Sequence, residues 1–135
     1  MRLCSLYSGS SGNSIYVGSD QTHILVDVGV SAKKIIEALA KVEIKPEEID
    51  GILITHEHSD HIAGLGVILR KFGIPVYGTP KTLEAVAQYK SLGKVDMSLF
   101  HGVEPEQSFQ INDMWIKPIS TWHDAADPVC YTLMN

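Results

Sequence analysis

The sequence predicts an α/β (α+β) fold, in which a mixed sheet with flanking helices forms half of an αββα sandwich. Short apolar strands form a meander near the start of the chain, and helical patterns separate the later apolar strands. A cluster of histidine and carboxylate side chains follows one buried strand directly, at a position where α/β folds place their chemistry. We therefore expect one domain over residues 1–135.

The first part of the chain predicts an antiparallel meander followed by a helix. Strands are expected at residues 3–7, 15–17 and 23–28, separated by polar turns. Ser31 is a good N-cap for a helix over residues 32–42. The expected apolar stripe of this helix consists of Ile35, Ile36, Leu39 and Ala40. A single helical turn is expected at residues 46–49.

The second part predicts helices alternating with strands. A buried strand over 52–55 precedes the histidine cluster, and a helix over 60–72 ends at Gly73. Because Gly64 and Gly66 weaken this helix, we expect them to pack closely against the sheet. A strand at 74–77 leads to a helix over 80–92, which Thr79 caps. A hairpin turning at 112–113 and a strand at 129–133 complete the pattern.

The cluster itself is His56-Glu57-His58-Ser59-Asp60-His61. In extended backbone, residues two apart point to the same side, so His56 and His58 can reach one metal ion while Glu57 points away. The chain then turns into a helix, which brings Asp60 and His61 forward to a second, adjacent ion. Imidazole and carboxylate ligands suit zinc, iron(II), manganese or nickel. The alternative is a polar surface turn, which needs none of these side chains.

The pattern His-x-His-x-Asp-His after an apolar strand resembles the signature of the metallo-β-lactamase superfamily. Asp27, within Ile-Leu-Val-Asp-Val-Gly at 24–29, matches the early aspartate of that family, and His123 matches its separate downstream histidine. The segments 3–13 and 123–129 are similar to the YycJ-type branch, whose members are bacterial cytosolic metallo-hydrolases linked to nuclease or phosphodiesterase activity.

The resemblance implies a centre of two divalent metal ions, with zinc preferred and manganese or iron as alternatives. The ligands it assigns are His56, His58 and His123 for the first ion and Asp60 and His61 for the second. It also implies that Asp60 orients or deprotonates the attacking water and that Asp27 supports residues 56–61, the metal loop, from behind. For Asp27 the other interpretation is a strand-end aspartate that caps a turn. Two interpretations, facing the active site or forming a plain turn, stay open for Ser10, Ser11 and Asn13.

Length separates this chain from the family. Domains of the superfamily are longer than 135 residues, and their second half supplies a bridging aspartate and a final histidine. We therefore expect this chain to be the N-terminal half of a larger protein. Alone, it should bind at most one ion tightly, hydrolyse poorly and self-associate. The strands at 24–26 and 52–54 should be only partly covered.

The amino-acid composition limits the classes of protein and the cellular locations that fit this chain. An apolar fraction of 44% is typical of a globular protein, and no run reaches the length of a membrane span, so we expect a cytoplasmic protein without a membrane partner. Cys4 and Cys130 are expected to be free, buried thiols. A net charge of −5 argues against a strongly basic nucleic-acid surface, and the lysines are expected on solvated helix faces. A di-metal centre, however, itself attracts phosphate.

These observations predict a hydrolase that uses a metal-activated hydroxide. The preferred substrate class is a phosphodiester, with DNA as one candidate. This choice rests on the resemblance alone, and no substrate-binding residue is assigned. A thioester or lactone hydrolase on the same centre and a non-catalytic metal-binding regulatory domain are the alternatives. His23 is expected to be a half-buried strand residue and His101 a loop residue. Trp115 and Trp122 are expected in the core or at the rim of the site.

Overall fold

The computed structural model describes residues 1–122 and 124–135, so the predicted ligand His123 lies outside the described residues. The strands are β1 (Arg2–Tyr7), β2 (Ser14–Gly18), β3 (His23–Val26), β4 (Gly51–Leu53), β5 (Val76–Gly78), β6 (Phe100–Gly102), β7 (Phe109–Ile111), β8 (Met114–Ser120) and β9 (Val129–Met134). The α-helices are α1 (Ala32–Lys41), α2 (Ser59–Ile62), α3 (Leu65–Phe72) and α4 (Pro80–Ala87). Short 3₁₀ turns lie at Pro46–Glu48, Lys90–Leu92 and Met97–Leu99.

The strands form two sheets. Six of them pair in the order β1-β2-β3-β4-β5-β6, antiparallel from β1 to β3 and parallel from β3 to β6. The other sheet is the antiparallel meander β7-β8-β9. The predicted class, a mixed sheet with flanking helices, is confirmed. Because β3 to β6 run in the same direction, their carboxyl ends meet at one edge of the large sheet.

The central strands of the large sheet are buried on both faces. One face packs against the helices, so that Leu25 and Ile52 share a cluster with Leu39 of α1 and Ile68 of α3. Side chains on the opposite face pack against the small sheet in a second cluster. Its buried members are Val17, Ile24, Leu53, Ile111, Met114 and Ile116. The alternation of side chains along each strand explains why neighbouring residues belong to different clusters.

This packing contradicts the expectation that the central strands are only partly covered. Ile24, Leu25 and the whole of 52–54 are at most 1% exposed, because the small sheet covers the face that the helices leave open. Only Val26 of these two segments is half-buried. Three of the exposed apolar residues, Leu3, Trp115 and Met134, lie on β1, β8 and β9. Self-association stays a prediction.

Several boundaries differ from the predicted ones for local reasons. Strand β3 ends at Val26 because Asp27 takes a left-handed conformation, with a φ of 64°. The expected helix over 60–72 is divided into α2 and α3 at Ala63 and Gly64. The helix expected to reach residue 92 ends at Ala87 and is followed by a 3₁₀ turn. Strand β6 was not predicted, and it carries His101, which is therefore not a loop residue.

Other local predictions are confirmed. Ser31 and Thr79 cap α1 and α4 through their side chains, and Gly73 ends α3 with a φ of 62°. The hairpin pairs Phe109 with Ile116 across the predicted turn. Within α1 the stripe needs one correction, since Ala40 is exposed. The buried residues of α1 are Ala32, Ile35, Ala38 and Leu39.

The glycines of the α2–α3 segment were expected to pack against the sheet, but they contact loop backbone instead. A Cβ atom added to Gly64 would lie 2.0 Å from the carbonyl oxygen of Val30, and one added to Gly66 would lie 2.0 Å from that of Leu92. Gly29 is equally restricted, because its Cβ would lie 1.8 Å from the carbonyl oxygen of Asp60. The segment after β3 therefore lies directly against the metal loop, with no room for a side chain between them.

Replacing Gly64 by alanine tests this close contact. We expect Gly64→Ala to lower the free energy of unfolding by about 3 kcal/mol, since the clash is with backbone that cannot move aside. Gly73→Ala is the matched control, because its added Cβ meets nothing within 4 Å and only the left-handed φ opposes it. We expect a loss of about 1 kcal/mol there. Equal losses in urea unfolding of the two variants would contradict this account.

Candidate metal centre

The predicted cluster lies at the carboxyl end of β4, beside the carboxyl end of β3. Its backbone is fixed to the segment after β3 by two hydrogen bonds: the Val28 amide donates to the His61 carbonyl oxygen (2.9 Å), and the Gly64 amide donates to that of Val28 (3.0 Å). The Asn13 amide donates to the Asp60 carbonyl oxygen (2.8 Å). The metal loop, residues 56–61, is therefore held by backbone contacts that do not depend on an ion.

Three imidazole rings of the metal loop lie together. The ring centroids of His56 and His58 are 4.9 Å apart, as expected for residues two apart on one side of an extended chain. The rings of His56 and His61 are closer, at 3.8 Å. His56 is buried, with 6% of its surface exposed, whereas His58 and His61 are half-buried. Residues assigned to two different ions are thus adjacent in space.

The Asp27 carboxylate lies beneath this cluster and is 3% exposed. One oxygen, Oδ1, accepts a hydrogen bond from the Thr55 amide (2.9 Å). The other, Oδ2, lies 2.6 Å from both the Thr55 hydroxyl and the Nδ1 atom of His61. Aspartate is among the residues that tolerate the left-handed backbone found here. The side chain therefore does not merely cap a turn, because it also contacts an imidazole of the cluster.

This arrangement determines which ring nitrogens carry protons. An ionised Asp27 only accepts hydrogen bonds, so His61 donates from Nδ1 and Thr55 donates from its hydroxyl. The Thr55 oxygen then accepts from Nδ1 of His56, 2.9 Å away. In their neutral forms both histidines therefore carry the proton on Nδ1, and this leaves Nε2 unprotonated, as a metal ligand must be. One carboxylate orients His61 directly and His56 through Thr55.

The pKa values of the pair reflect the same contact. Burial raises the pKa of Asp27, and the hydrogen bonds from His61 and Thr55 oppose that rise. Burial lowers the pKa of His61, but the hydrogen bond and charge of Asp27, together with the charge of Asp60, outweigh burial, so the net change is upward. The raised pKa extends to higher pH the range in which His61 also carries a second proton, on Nε2, and that proton must leave before Nε2 can bind a cation.

Asp60 and His61 have the separation of two ligands on one ion. Oδ2 of Asp60 lies 3.5 Å from Nε2 of His61. Two ligands on a tetrahedral zinc ion, each at about 2.0–2.1 Å, lie about 3.4 Å apart. The Asn13 side-chain amide lies 3.2 Å from Oδ2 of Asp60 and 3.3 Å from Nε2 of His61. Asn13 therefore faces the site, whereas Ser10 and Ser11 are exposed turn residues.

The described residues contribute pairs of ligands and not complete sets. Within residues 1–122 and 124–135, no three His, Cys, Asp or Glu side chains form a group that would hold one ion. His56 with His58 and Asp60 with His61 are the two pairs. The third ligand predicted for the first ion, His123, lies outside the described residues. The assignment of all five ligands therefore stays a prediction.

Two residues of this region were missed by sequence reasoning. Thr55 connects Asp27 to His56, and only its position immediately before the motif pointed to it. Glu57 was expected to point away from the metals. Its carboxylate accepts a hydrogen bond from the Ala126 amide (3.0 Å), in the segment between β8 and β9. Nothing in the sequence indicates this partner, 69 residues away.

Other predicted residues lie away from the cluster. His23 is half-buried on β3, as expected, with its Nδ1 atom 2.5 Å from the Tyr16 hydroxyl. His101 is exposed and stacks on Tyr77. Trp115 and Trp122 are 49% and 103% exposed, which excludes the core for both.

The surface shows two further outcomes. Both cysteines are free, but Cys130 is exposed and Cys4 half-buried, so the expected burial is wrong. The six basic residues expected on solvated faces, Lys33, Lys34, Lys41, Lys45, Arg70 and Lys71, are all exposed. Among the described residues, no helix is both long enough and apolar enough to cross a membrane.

Residues 7–112 match the profile of the metallo-β-lactamase superfamily, and the chain belongs to that superfamily. Its members typically bind divalent metal ions. The structure resembles a subclass B3 metallo-β-lactamase with an active-site glutamic acid, with a TM-score of 0.80 over 97% of this chain and 53% of the other. Sequence identity to that enzyme is 16%, so the likeness concerns the fold alone.

Two relatives are much closer in sequence. The chain is 47% identical over 130 residues to the exodeoxyribonuclease WalJ of Streptococcus pneumoniae, and 39% identical to the exodeoxyribonuclease YycJ of Bacillus anthracis. Each alignment covers 96% of this chain and 48% of the relative. The chain thus spans about half the length of the curated relatives it matches. The resemblance to the YycJ-type branch is confirmed.

The Thr55 hydroxyl should control metal affinity if it orients His56. We expect Thr55→Val, which keeps the shape but removes the hydroxyl, to weaken zinc binding by about 10- to 100-fold. Thr55→Ser keeps the hydroxyl and should bind within a few-fold of the wild type. Competition against a chromophoric chelator measures both affinities. Wild-type affinity in Thr55→Val would contradict the role given to this residue.

Proposed function

We propose that this chain supplies the metal-binding part of a hydrolase that cleaves phosphodiester bonds, with DNA as the favoured substrate. The observation that carries the proposal is the network from Asp27 through Thr55 to His56 and directly to His61. Networks that fix both tautomer and ring orientation are typical of histidines that bind metals. The relatives named as exodeoxyribonucleases supply the substrate class.

The donor atoms fit two divalent ions. His56 and His58, with His123, would hold the first ion, and Asp60 with His61 the second. Zinc suits this mixture of imidazole and carboxylate ligands best, and manganese or iron are the alternatives. When bound, such ions polarise the scissile phosphate and lower the pKa of a coordinated water toward neutrality.

The side chains of this chain have separate tasks in such a reaction. Asp27 keeps protons on Nδ1 of His61 and, through Thr55, on Nδ1 of His56, so that both rings present Nε2. Asn13 donates a hydrogen bond to Asp60 and restrains its carboxylate. Asp60 would accept the proton of the attacking water or orient that water, because its side chain is 32% exposed and so accessible to solvent.

The charge of the chain is compatible with a nucleic-acid substrate. At −5 the net charge gives no broad basic surface, so attraction of the phosphate would depend on the ions themselves. We propose a cytoplasmic location for the protein, on the basis of its resemblance to cytosolic relatives. A thioester or lactone hydrolase would use the same ligands and stays the alternative. A regulatory domain without catalysis is the second alternative, and no contact among the described residues favours it.

Substitution of Asp60 tests the catalytic assignment in the full-length protein. We expect Asp60→Ala to lower turnover by at least about 10²-fold, because it removes both a ligand and a proton acceptor. The free energy of unfolding should change by less than about 1 kcal/mol, since this side chain is not part of the core. Ser59→Ala, at the exposed neighbouring position of α2, is the control for activity. Unchanged turnover in Asp60→Ala would exclude the mechanism.

A parallel assay separates the proposed substrate class from its alternatives. Metal content is measured first, followed by hydrolysis of single-stranded DNA, a phosphodiester chromogen, a thioester and a lactone by the same preparation. We expect hydrolysis of DNA and of the phosphodiester, and its loss after chelation. Hydrolysis of the thioester or lactone alone would favour the alternative enzyme class. A metal-loaded protein inactive on all four would favour the regulatory domain.

A further inference from the structure

Glu57 lies between two predicted ligands of the first ion but does not share their direction. In extended backbone its side chain leaves on the opposite side from His56 and His58. It is half-buried, and its two carboxylate oxygens lie 3.0 and 3.3 Å from the Ala126 amide nitrogen, which donates to them. The contact thus joins the metal loop to the loop between β8 and β9, residues 121–128, which we term the return loop.

The return loop is the segment that carries His123. Its described residues lie outside any strand or helix, and Thr121, Trp122, Asp124 and Ala126 are exposed. Such a loop has few apolar contacts of its own, so hydrogen bonds determine its position. A metal ligand on the return loop needs a defined position relative to the metal loop, and hydrogen bonds that restrict the return loop would provide one.

Contacts at the end of the return loop are of a different kind. The buried hydroxyls of Thr79 and Thr82 each lie 3.1 Å from the Asp127 carbonyl oxygen. The Val129 amide donates to the Thr55 carbonyl oxygen (3.0 Å). These bonds fix the position at which the return loop enters β9. The hydrogen bonds from the Ala126 amide to Glu57 connect the return loop to a residue inside the metal loop.

We propose that Glu57 is a positioning residue of the first metal site, because its hydrogen bond holds the return loop, the segment in which the sequence places His123, against the metal loop. The role rests on the proposed function, since it concerns the ligands assigned there. Glu57 acts through its hydrogen bond to the Ala126 amide and does not itself contact an ion. Its negative charge is a competing explanation for any effect on metal affinity, and the choice of variants separates the two.

The test uses the full-length protein with cobalt(II) as the probe, because the absorption spectrum of bound cobalt measures occupancy of the first site. We expect Glu57→Ala to weaken cobalt binding at that site by about 10- to 100-fold, as is typical when a supporting partner of a metal ligand is removed. Glu57→Gln keeps an acceptor oxygen for Ala126 but lacks the charge, and we expect it to restore affinity to within a few-fold of the wild type.

Hydrogen exchange of the metal-free protein gives a readout that involves neither an ion nor activity. The Ala126 amide should exchange faster in Glu57→Ala and at the wild-type rate in Glu57→Gln. Glu47→Ala is the control for loss of an acidic side chain, because Glu47 lies in the 3₁₀ turn before β4, at the opposite end of that strand. It should change neither quantity.

Two results would overturn the inference. Wild-type cobalt affinity in Glu57→Ala would show that the hydrogen bond does not position a ligand. Affinity in Glu57→Gln as weak as in Glu57→Ala would assign the effect to charge. Failure of the proposed function appears differently, as a wild-type protein that binds no cobalt at all, and that result would remove both proposals.

Discussion

The Asp27 carboxylate is the group on which the candidate site depends. It is buried at the end of β3, and its acceptor oxygens are used by the Thr55 amide, the Thr55 hydroxyl and Nδ1 of His61. Removing it would leave three half-buried donors without this partner, each at a cost of up to about 1–3 kcal/mol. The left-handed backbone at Asp27 directs this carboxylate under the metal loop and ends the strand at the same place.

Close backbone packing supports the carboxylate. The absence of a side chain at Gly29 and Gly64 lets the segment after β3 lie directly against the metal loop. The hydrogen bonds between Val28, His61 and Gly64 then fix the end of α2 and its junction with α3. The cluster is consequently positioned by the fold itself, which would reduce the reorganisation that the proposed metal binding requires.

Much of the fold followed from local patterns in the sequence. The caps at Ser31 and Thr79, the stop at Gly73 and the hairpin at 112–113 depend on nearest neighbours, and a sequence displays these directly. Coverage of the central strands did not follow. Ile24 and Leu53 are buried by Ile111 and Met114 from a distant hairpin, and no periodicity reveals which face a hairpin will cover.

The candidate site divides in the same way. The spacing of His56, His58, Asp60 and His61 is a local property, and the structure brings their side chains together. Thr55 and Glu57 stayed unrecognised because their partners, Asp27 and Ala126, are remote along the chain. A residue type alone cannot show that a threonine hydroxyl connects an aspartate to a histidine and so fixes its tautomer, or that a glutamate holds a loop in place.

Nitrogen-15 NMR of histidine-labelled, zinc-loaded full-length protein tests the central claim most directly, because it locates the proton on each ring. The claim is that Asp27 determines the tautomers of His61 and, through Thr55, of His56. The account predicts that both rings carry the proton on Nδ1 and bind zinc through Nε2. A proton on Nε2 of either ring, with Nδ1 bound to zinc, would contradict it.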